Sequence, residues 1–417
     1  MNTFDDDGAI LLGPLDHEPN GPCTVDIQRA VREGRRRHRR RRTVRYASVA
    51  VVAALALTGT SLAAGTLRDT DRADPSKAPT NQAVATSGAP APPAASTSAP
   101  APAPPTSCAI RRLPVPDGVD MALVTGADPT GRIIVGRSYP RGKDYQVILW
   151  RDGQATKIAL GGSDATLTDV TTGGVAVGFT YERVAAGADG VRAVPYAYRD
   201  GTLAKLPGVR SGLAHGINET GRIAGVDGER GWPVVWPSPT TAAVALPLPA
   251  GAPRGEAYDI DEDGTVVGNL GERRAHVWLP DGTHRDLPLP KVNGVAPAGA
   301  RVYSIRNGWA TGVLSGTPMG EPSAVRWNVR TGEVRVFAEL NIRASTANEL
   351  GWQVGTDRQG RAAFLSDAGL LVLPDLATHR PNELTNIPTT LSDDGRTIAG
   401  QADDAAGTIH AVVWHCQ

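Results

Sequence analysis

A motif that recurs seven times between residues 124 and 402 constrains the fold more than any other feature of the chain. Each copy has a glycine after a polar turn, a short strand-like run, and then a second glycine. The second glycines follow one another at intervals of 42, 47, 43, 44, 43 and 45 residues. They are Gly136, Gly178, Gly225, Gly268, Gly312, Gly355 and Gly400. Such a regular period indicates stacked copies of one structural unit.

Each unit continues with the same further features. A second apolar run usually ends in an aromatic residue, as in VILW, PVVW, AHVW and AVVW, and a glycine-containing turn often follows. A leucine-proline run such as LPLP then closes the unit. Four short strands in about 44 residues is the pattern of a β-propeller blade. The sequence therefore predicts an all-β fold, a seven-bladed β-propeller with four-stranded blades, over residues 108–417.

The two ends of this region predict how the ring closes. The seventh unit stops three strands in, whereas an unused leucine-proline segment, CAIRRLPVPDG, begins the region at residues 108–118. We expect this segment to supply the missing fourth strand. Cys108 and Cys416 would then flank one turn position, with Cα atoms roughly 5–7 Å apart, which permits a disulfide. Two unrelated thiols are the alternative.

The units GINETGRIAG with PVVW, and DIDEDGTVVG with AHVW and LPLP, resemble the extracellular HAF-type repeats, degenerate propeller repeats of secreted bacterial proteins. The resemblance covers about residues 108–417, although most units lack the His-Ala-Phe signature and AHVW is the nearest match. It implies a propeller fold and an extracellular location. It implies no shared activity, because propellers carry many unrelated functions.

The chain before the repeats divides into three zones. Residues 1–45 are polar and end in an arginine-rich run, and residues 46–67 contain no charged side chain. A helix of that length spans the ~30 Å hydrocarbon core of a bilayer. The arginines place the preceding arm in the cytoplasm by the positive-inside rule. We predict a transmembrane signal-anchor helix at residues 46–67, and a cleaved signal peptide is the alternative.

Residues 68–107 are rich in Pro, Ala and Ser and predict a disordered linker, or stalk. The propeller would thus be extracytoplasmic on a single-pass membrane protein, with an unknown protein or glycan as its ligand. The arm of residues 1–45 could contact a cytoplasmic partner. The formal net charge of zero gives no general affinity for nucleic acid, so none is predicted as a partner.

The stretch AYDIDEDGTVVGNL begins like an EF-hand calcium loop, with Asp259, Asp261 and Asp263 at alternate positions. The loop is incomplete, because Leu270 occupies the position of the bidentate glutamate. The repeat instead places Asp263-Gly264 in a hairpin turn that Asp261 would stabilise. We predict no metal site and no cofactor, with weak calcium binding as the alternative.

A recurring aromatic position has two interpretations. The tryptophans at the third strand are Trp150, Trp236, Trp278, Trp327 and Trp414. They could form a stacking platform for sugars, but their periodic placement favours packing between blades.

The sequence contains no nucleophile elbow, P-loop or dinucleotide fingerprint, so no catalytic residue is assigned. First-strand residues should line the central channel, and the candidates are Asp169, His215, Asp259 and Ser304. The favoured hypothesis is a non-catalytic binding or protein-interaction module. The alternatives are a hydrolase or lyase with its site in the channel, and a transmembrane sensor. A deep pocket with converging His, carboxylate and Arg groups would favour the enzyme, and a plugged or apolar channel would favour binding.

Overall fold

The computed structural model describes residues 102–138, 145–184, 190–316, 323–340, 346–379 and 384–417. The predicted cytoplasmic arm, transmembrane helix and most of the linker lie outside the described residues. Within the described ranges, no helix is long and apolar enough to cross a bilayer.

The described residues form 28 strands in seven antiparallel sheets of four strands each. Blade 1 contains β2 (Ala122–Ala127), β3 (Ile133–Ser138), β4 (Val147–Arg151) and β5 (Gln154–Ile158). Blade 2 contains β6 (Ser163–Val170), β7 (Ala176–Arg183), β8 (Val191–Arg199) and β9 (Thr202–Lys205). Blade 3 contains β10 (Gly212–Ile217), β11 (Ile223–Asp227), β12 (Trp232–Trp236) and β13 (Val244–Ala245). Blade 4 contains β14 (Glu256–Ile260), β15 (Val266–Asn269), β16 (Ala275–Trp278) and β17 (His284–Asp286).

The remaining blades follow the same order along the chain. Blade 5 contains β18 (Gly299–Arg306), β19 (Trp309–Ser315), β20 (Ser323–Asn328) and β21 (Val334–Phe337). Blade 6 contains β22 (Thr346–Ala347), β23 (Gln353–Thr356), β24 (Ala362–Ser366) and β25 (Gly369–Val372). Blade 7 contains β26 (Asn386–Leu391), β27 (Thr397–Asp403), β28 (Ile409–Cys416) and, as its outermost strand, β1 (Cys108–Arg112). The prediction of a seven-bladed propeller with four-stranded blades is confirmed.

The disulfide predicted between the two ends is also confirmed. The S–S distance of Cys108 and Cys416 is 2.07 Å. The predicted spacing was too long, because the Cα atoms are 4.0 Å apart. The two cysteines do not flank a turn but lie directly opposite each other in the β1–β28 ladder. Ser107 and Gln417, next along the ladder, exchange both backbone hydrogen bonds, which leaves the cysteines as the closer, non-hydrogen-bonded pair.

The tryptophans of the third strands join neighbouring blades through a repeated hydrogen bond. Each indole is at most 3% exposed and donates its Nε1–H to the carbonyl of a proline on the preceding blade, at 2.6–2.8 Å. The pairs are Trp150–Pro114, Trp236–Pro207, Trp278–Pro247, Trp327–Pro288 and Trp414–Pro374. We call this pair the Trp–Pro latch. It accounts for both the recurring tryptophan and the recurring leucine-proline run.

The glycine that sets the repeat period makes room for the latch. At Gly225, an added Cβ would overlap the carbonyl oxygen of Leu213 and lie 2.8 Å from the ring of Trp236. Gly136 and Gly312 have the same surroundings on their own blades. The second strand therefore approaches both the first strand and the tryptophan more closely than any side chain would allow.

Candidate functional site

The first strands of the blades surround a central channel. Residues of all seven blades line a cavity of about 250 Å³ in this channel. Turns between the first and second strands form one end of the channel, which we call the turn end. The opposite end, where the first strands begin, we call the strand-start end.

A β-bulge re-aims one side chain of the first strand in six of the seven blades, within the part of the chain that the structure describes. The pairing register skips one residue after each of Val124, Leu167, Ala214, Ala257, Val302 and Pro388. The skipped residues all line the cavity, and they are Thr125, Thr168, His215, Tyr258, Tyr303 and Thr389.

Asp169 and Asp259 follow the bulges of blades 2 and 4 and use both carboxylate oxygens as acceptors. Each accepts the N–H of the next residue in its own strand, at 2.9 and 2.8 Å, and a backbone N–H of the next blade. The inter-blade donors are Ile217 for Asp169 and Ile305 for Asp259, both at 2.8 Å. The carboxylates thus join adjacent blades at the channel wall.

Burial dominates the titration of both carboxyls. Burial raises the pKa of Asp259 to about 7, and the backbone hydrogen bonds from Ile305 and Ile260 oppose this rise. The pKa of Asp169 is raised well above its usual range by burial, and next by the negative charge of Asp259. Near neutral pH these two carboxyls therefore carry less negative charge than two exposed aspartates would.

Five polar and aromatic side chains meet near the strand-start end. His215 Nε2 lies 2.7 Å from Glu256 Oε1, and its ring stacks on Tyr258 at a centroid distance of 5.0 Å. Arg301 donates to the Tyr258 hydroxyl at 2.9 Å, and Tyr303 meets the Tyr258 ring edge-on at 6.4 Å. Histidine, carboxylate and arginine groups therefore do converge here.

Neighbours in this cluster tune its ionisable groups. Burial, then the nearby Glu256 charge, raises the pKa of Tyr258 to about 12, so this hydroxyl stays protonated at neutral pH. Burial alone would raise the pKa of Glu256, but the hydrogen bond to His215 and its charge lower it. Glu256 is consequently ionised and Tyr258 neutral in this cluster.

Arg306 bridges the channel at the turn end. It comes from blade 5 and binds Asp393 of blade 7 through two hydrogen bonds, Nε–Oδ1 at 3.1 Å and Nη2–Oδ2 at 2.6 Å. Its Nη1 also donates to Glu262 of blade 4 at 2.5 Å. One side chain therefore ties three blades together across this mouth of the channel.

All four channel candidates named from the sequence, Asp169, His215, Asp259 and Ser304, line the cavity. Ser304 there shares a 2.9 Å hydrogen bond with Thr311. Sequence reasoning missed Tyr258, Tyr303 and Arg306. Arg306 could have been found from the sequence. The turn of unit five consists of only Asn307-Gly308, so the charged Arg306 is the last residue of its first strand.

Asp261 and Asp263, from the stretch that begins like a calcium loop, bond to backbone N–H groups of turns. Asp263-Gly264 lies in the hairpin turn after β14, where the Asp263 carboxylate accepts from Thr265 N at 2.8 Å. Asp261 Oδ1 accepts the N–H of Glu262 at 2.9 Å and that of Asn307 at 2.8 Å, while Oδ2 accepts Gly308 N–H at 2.6 Å. Asp261 thus caps mainly the short turn of blade 5 rather than its own. Within the described ranges, no group of three or more His, Cys, Asp or Glu side chains is arranged to hold a metal ion.

Comparisons with known proteins concern the fold. No family model and no curated protein matches the chain, so membership of the HAF-type repeats stays a prediction. A streptogramin B lyase structure is 14% identical with a TM-score of 0.49, covering 74% of this chain and 98% of that one. An oligogalacturonate lyase from Vibrio parahaemolyticus is 10% identical with a TM-score of 0.43, covering 75% and 98%. YCF48 bound to D1 peptide is 11% identical with a TM-score of 0.44, covering 74% and 94%.

Proposed function

We propose that this chain is a membrane-anchored, extracytoplasmic β-propeller that acts as a non-catalytic binding or protein-interaction module. The observation that carries the proposal is the bonding of the channel groups within the fold. Asp169 and Asp259 hold backbone N–H groups of neighbouring blades, and Arg306 is engaged by two carboxylates. The cavity of about 250 Å³ is also below the ~300–1,000 Å³ of small-molecule sites. A surface ligand fits these facts better than a reaction in the channel.

The disulfide and the linker support the location. Disulfides persist in oxidising compartments and are rare in the cytosol. The last linker residues contact blade 7 at the turn end, where Arg396 donates to the carbonyl of Ala103 at 3.1 Å and Thr106 N–H to that of Gln417 at 2.8 Å.

Protease accessibility in intact cells tests the topology. An epitope after Gln417 should be digested by added protease, whereas one at Met1 should be protected. Deletion of residues 46–67 from the full chain should release it from the membrane fraction. Protection of the C-terminal epitope, or a deletion variant that stays in the membrane, would contradict the anchored topology.

Ligand binding and turnover separate the two functional classes. The full chain would be screened for thermal stabilisation by cell-surface saccharides and extracytoplasmic peptides, and every ligand that stabilises it would be incubated with it and analysed by mass spectrometry. The proposal expects stabilisation with unchanged ligand. Formation of a product would favour catalysis.

A lyase or hydrolase is the second candidate, because His215, Glu256 and Arg301 converge around Tyr258. In that case His215→Asn and Arg301→Met should each abolish product formation while the ligand still stabilises the fold. Lys157→Met, on the exposed strand β5, is the matched control and should keep full turnover.

A further inference from the structure

Two junctions between blades lack the Trp–Pro latch, and the one between blades 5 and 6 differs most from the others. At this junction Leu365 takes the tryptophan position, two residues past the partner of the repeat glycine, and Ala338 takes the proline position. The apolar contact is made by a small buried cluster, namely Ala324, Phe337, Leu340, Ala363 and Leu365. Leucine is much smaller than tryptophan, so the apolar contact between blades 5 and 6 is small.

Two polar side chains occupy this junction at positions that are apolar in the other six blades. Arg326 precedes the tryptophan position of blade 5, where the other blades have aliphatic residues, alanine or phenylalanine. Gln353 is paired with Leu365, where the other blades have isoleucine, valine or alanine. Both face the same junction, since Arg326 lies two residues from Ala324 and Gln353 is the cross-strand partner of Leu365.

Both side chains are buried and incompletely bonded. Arg326 is 7% exposed and Gln353 is 0% exposed. The Nε of Arg326 and both amide atoms of Gln353 have no hydrogen-bond partner among the described residues. Native proteins rarely leave such groups unpaired, because an unbonded buried polar atom costs roughly 1–3 kcal/mol.

The charge of Arg326 is also without a close counter-charge. Its guanidinium donates to the carbonyl of Gly351 and lies 4.4 Å above the Trp309 ring and 5.3 Å from that of Phe337. No carboxylate of the described residues lies within ion-pair distance of it. Burial lowers the pKa of Arg326, and the more distant Asp367 and Glu333 only partly offset this effect. An arginine cannot give up its proton in a protein, so the charge stays.

We propose that the junction between blades 5 and 6 binds a small inorganic anion of the chloride class, held by Arg326 and the amide of Gln353. The anion would compensate the buried charge and accept the unpaired N–H groups of both side chains. A water molecule could satisfy the amide but would leave the charge uncompensated. The anion would take over the joining role that the Trp–Pro latch has at other junctions.

Anion-dependent stability of the full chain tests this site. The melting temperature would be measured in sodium chloride and in sodium gluconate at equal ionic strength, because an anion that binds only the folded state raises it saturably. We expect a higher melting temperature in chloride, and no such difference for Arg326→Met. Arg335→Met is the matched control, since Arg335 pairs with Arg326 across the strands but is 52% exposed. It should keep the chloride effect.

Gln353→Leu keeps the test decisive if Arg326→Met does not fold. Loss of one charge-assisted hydrogen bond should raise the half-saturating chloride concentration about tenfold. A crystal soaked in bromide should show an anomalous peak beside Arg326. Equal melting temperatures in the two salts, or a soaked crystal without that peak, would overturn the proposal. A Gln353→Leu variant that is more stable and keeps an unchanged chloride response would show that the amide does not bind the anion.

Discussion

Asp259 shows how a single side chain can both join blades and make them sensitive to pH. Its two oxygens accept the N–H groups of Ile260 and Ile305, and the preceding blade leaves room for it because Gly216 has no side chain. A Cβ at Gly216 would lie 2.5 Å from the Asp259 carboxylate. The same arrangement that holds the blades together therefore buries a carboxyl group.

This burial predicts a pH-dependent stability. The folded pKa of Asp259 is about 7, against an ordinary 3.8, so the folded state binds more protons than the unfolded state between these values. The free energy of unfolding should therefore fall as pH rises from 4 to 7, by at most about 1.4 kcal/mol per pH unit for one carboxyl. Asp259→Asn should lose this component, measured by urea titration at each pH.

The pH profile of the parent chain alone does not isolate Asp259, because His276 changes the free energy of unfolding with pH in the opposite direction. The profiles of the parent and of Asp259→Asn must therefore be compared. Burial lowers the pKa of His276 below its ordinary 6.5, so the unfolded state binds more protons there than the folded state. The free energy of unfolding therefore falls as pH falls below 6.5. Asp200→Asn, at an exposed position, is the control. Its curve of unfolding free energy against pH should run parallel to that of the parent chain. Parallel profiles for Asp259→Asn and the parent would show that Asp259 has no raised pKa.

The repeat glycines support a second prediction at the residue scale. Gly225→Ala forces a methyl group into Leu213 and Trp236, so we expect a loss of about 1–3 kcal/mol in the free energy of unfolding. Gly161→Ala meets no atom within 4 Å and should change stability by less than about 0.5 kcal/mol. Equal losses for the two variants in denaturant titrations would contradict the close-packing argument.

At the scale of the element, the Trp–Pro latch is the repeated device that connects one blade to the next. It joins the third strand of one blade to the segment after the fourth strand of the preceding blade. The latch therefore fixes the position of each blade relative to the preceding one. Where the tryptophan is absent, at Tyr198 and Leu365, the proline is absent too, with Ala159 and Ala338 in its place. The two residues therefore occur as a unit.

Trp236→Phe tests the latch. The variant keeps most of the ring but removes the indole donor to Pro207, whose carbonyl keeps only the longer 3.2 Å bond from the N–H of Ala243, so the free energy of unfolding should fall by about 0.5–1.5 kcal/mol. Trp232→Phe is the control, because Trp232 lies in the same strand but is 40% exposed, and it should have little effect. An unaffected Trp236→Phe in calorimetry would mean that the hydrogen bond contributes nothing.

The elements also show where sequence reasoning succeeds and where it fails. The blade count, strand order and closing disulfide follow from features with a fixed period, because every blade buries the same faces. The position of Tyr258 in the channel could not be predicted from the repeat. It depends on a β-bulge, which is a property of how two strands pair. Likewise, Asp261 and Arg306 bond to other blades, and local sequence shows only that each lies near a turn.

At the scale of the whole molecule, the ring is closed by β1 and by a disulfide that joins residues separated by 308 positions. In the chain-entropy model, a closed loop of this size contributes several kcal/mol, mainly by restricting the unfolded chain. Without the disulfide, only the hydrogen bonds between β1 and β28 would join the two ends of the propeller in blade 7.

Replacing both cysteines tests this closure. Cys108→Ser together with Cys416→Ser should lower the free energy of unfolding by about 2–5 kcal/mol, and a reducing agent should lower the stability of the parent chain equally. Cys23→Ser is the control and should leave the reductant effect unchanged. If the reductant fails to alter the urea midpoint of the parent chain, the disulfide does not support the ring.

The two junctions without a latch divide the circle unequally. Blades 2 to 5 form one latched arc, and blades 6, 7 and 1 form the other, which also holds the disulfide and the end of the linker. Asp169, His215, Asp259 and Ser304 all belong to the four-blade arc, and Arg306 reaches from it to Asp393 in the three-blade arc. The ring thus has two latched arcs, which pack on each other at junctions without a latch, and the four-blade arc holds most of the polar side chains that line the channel.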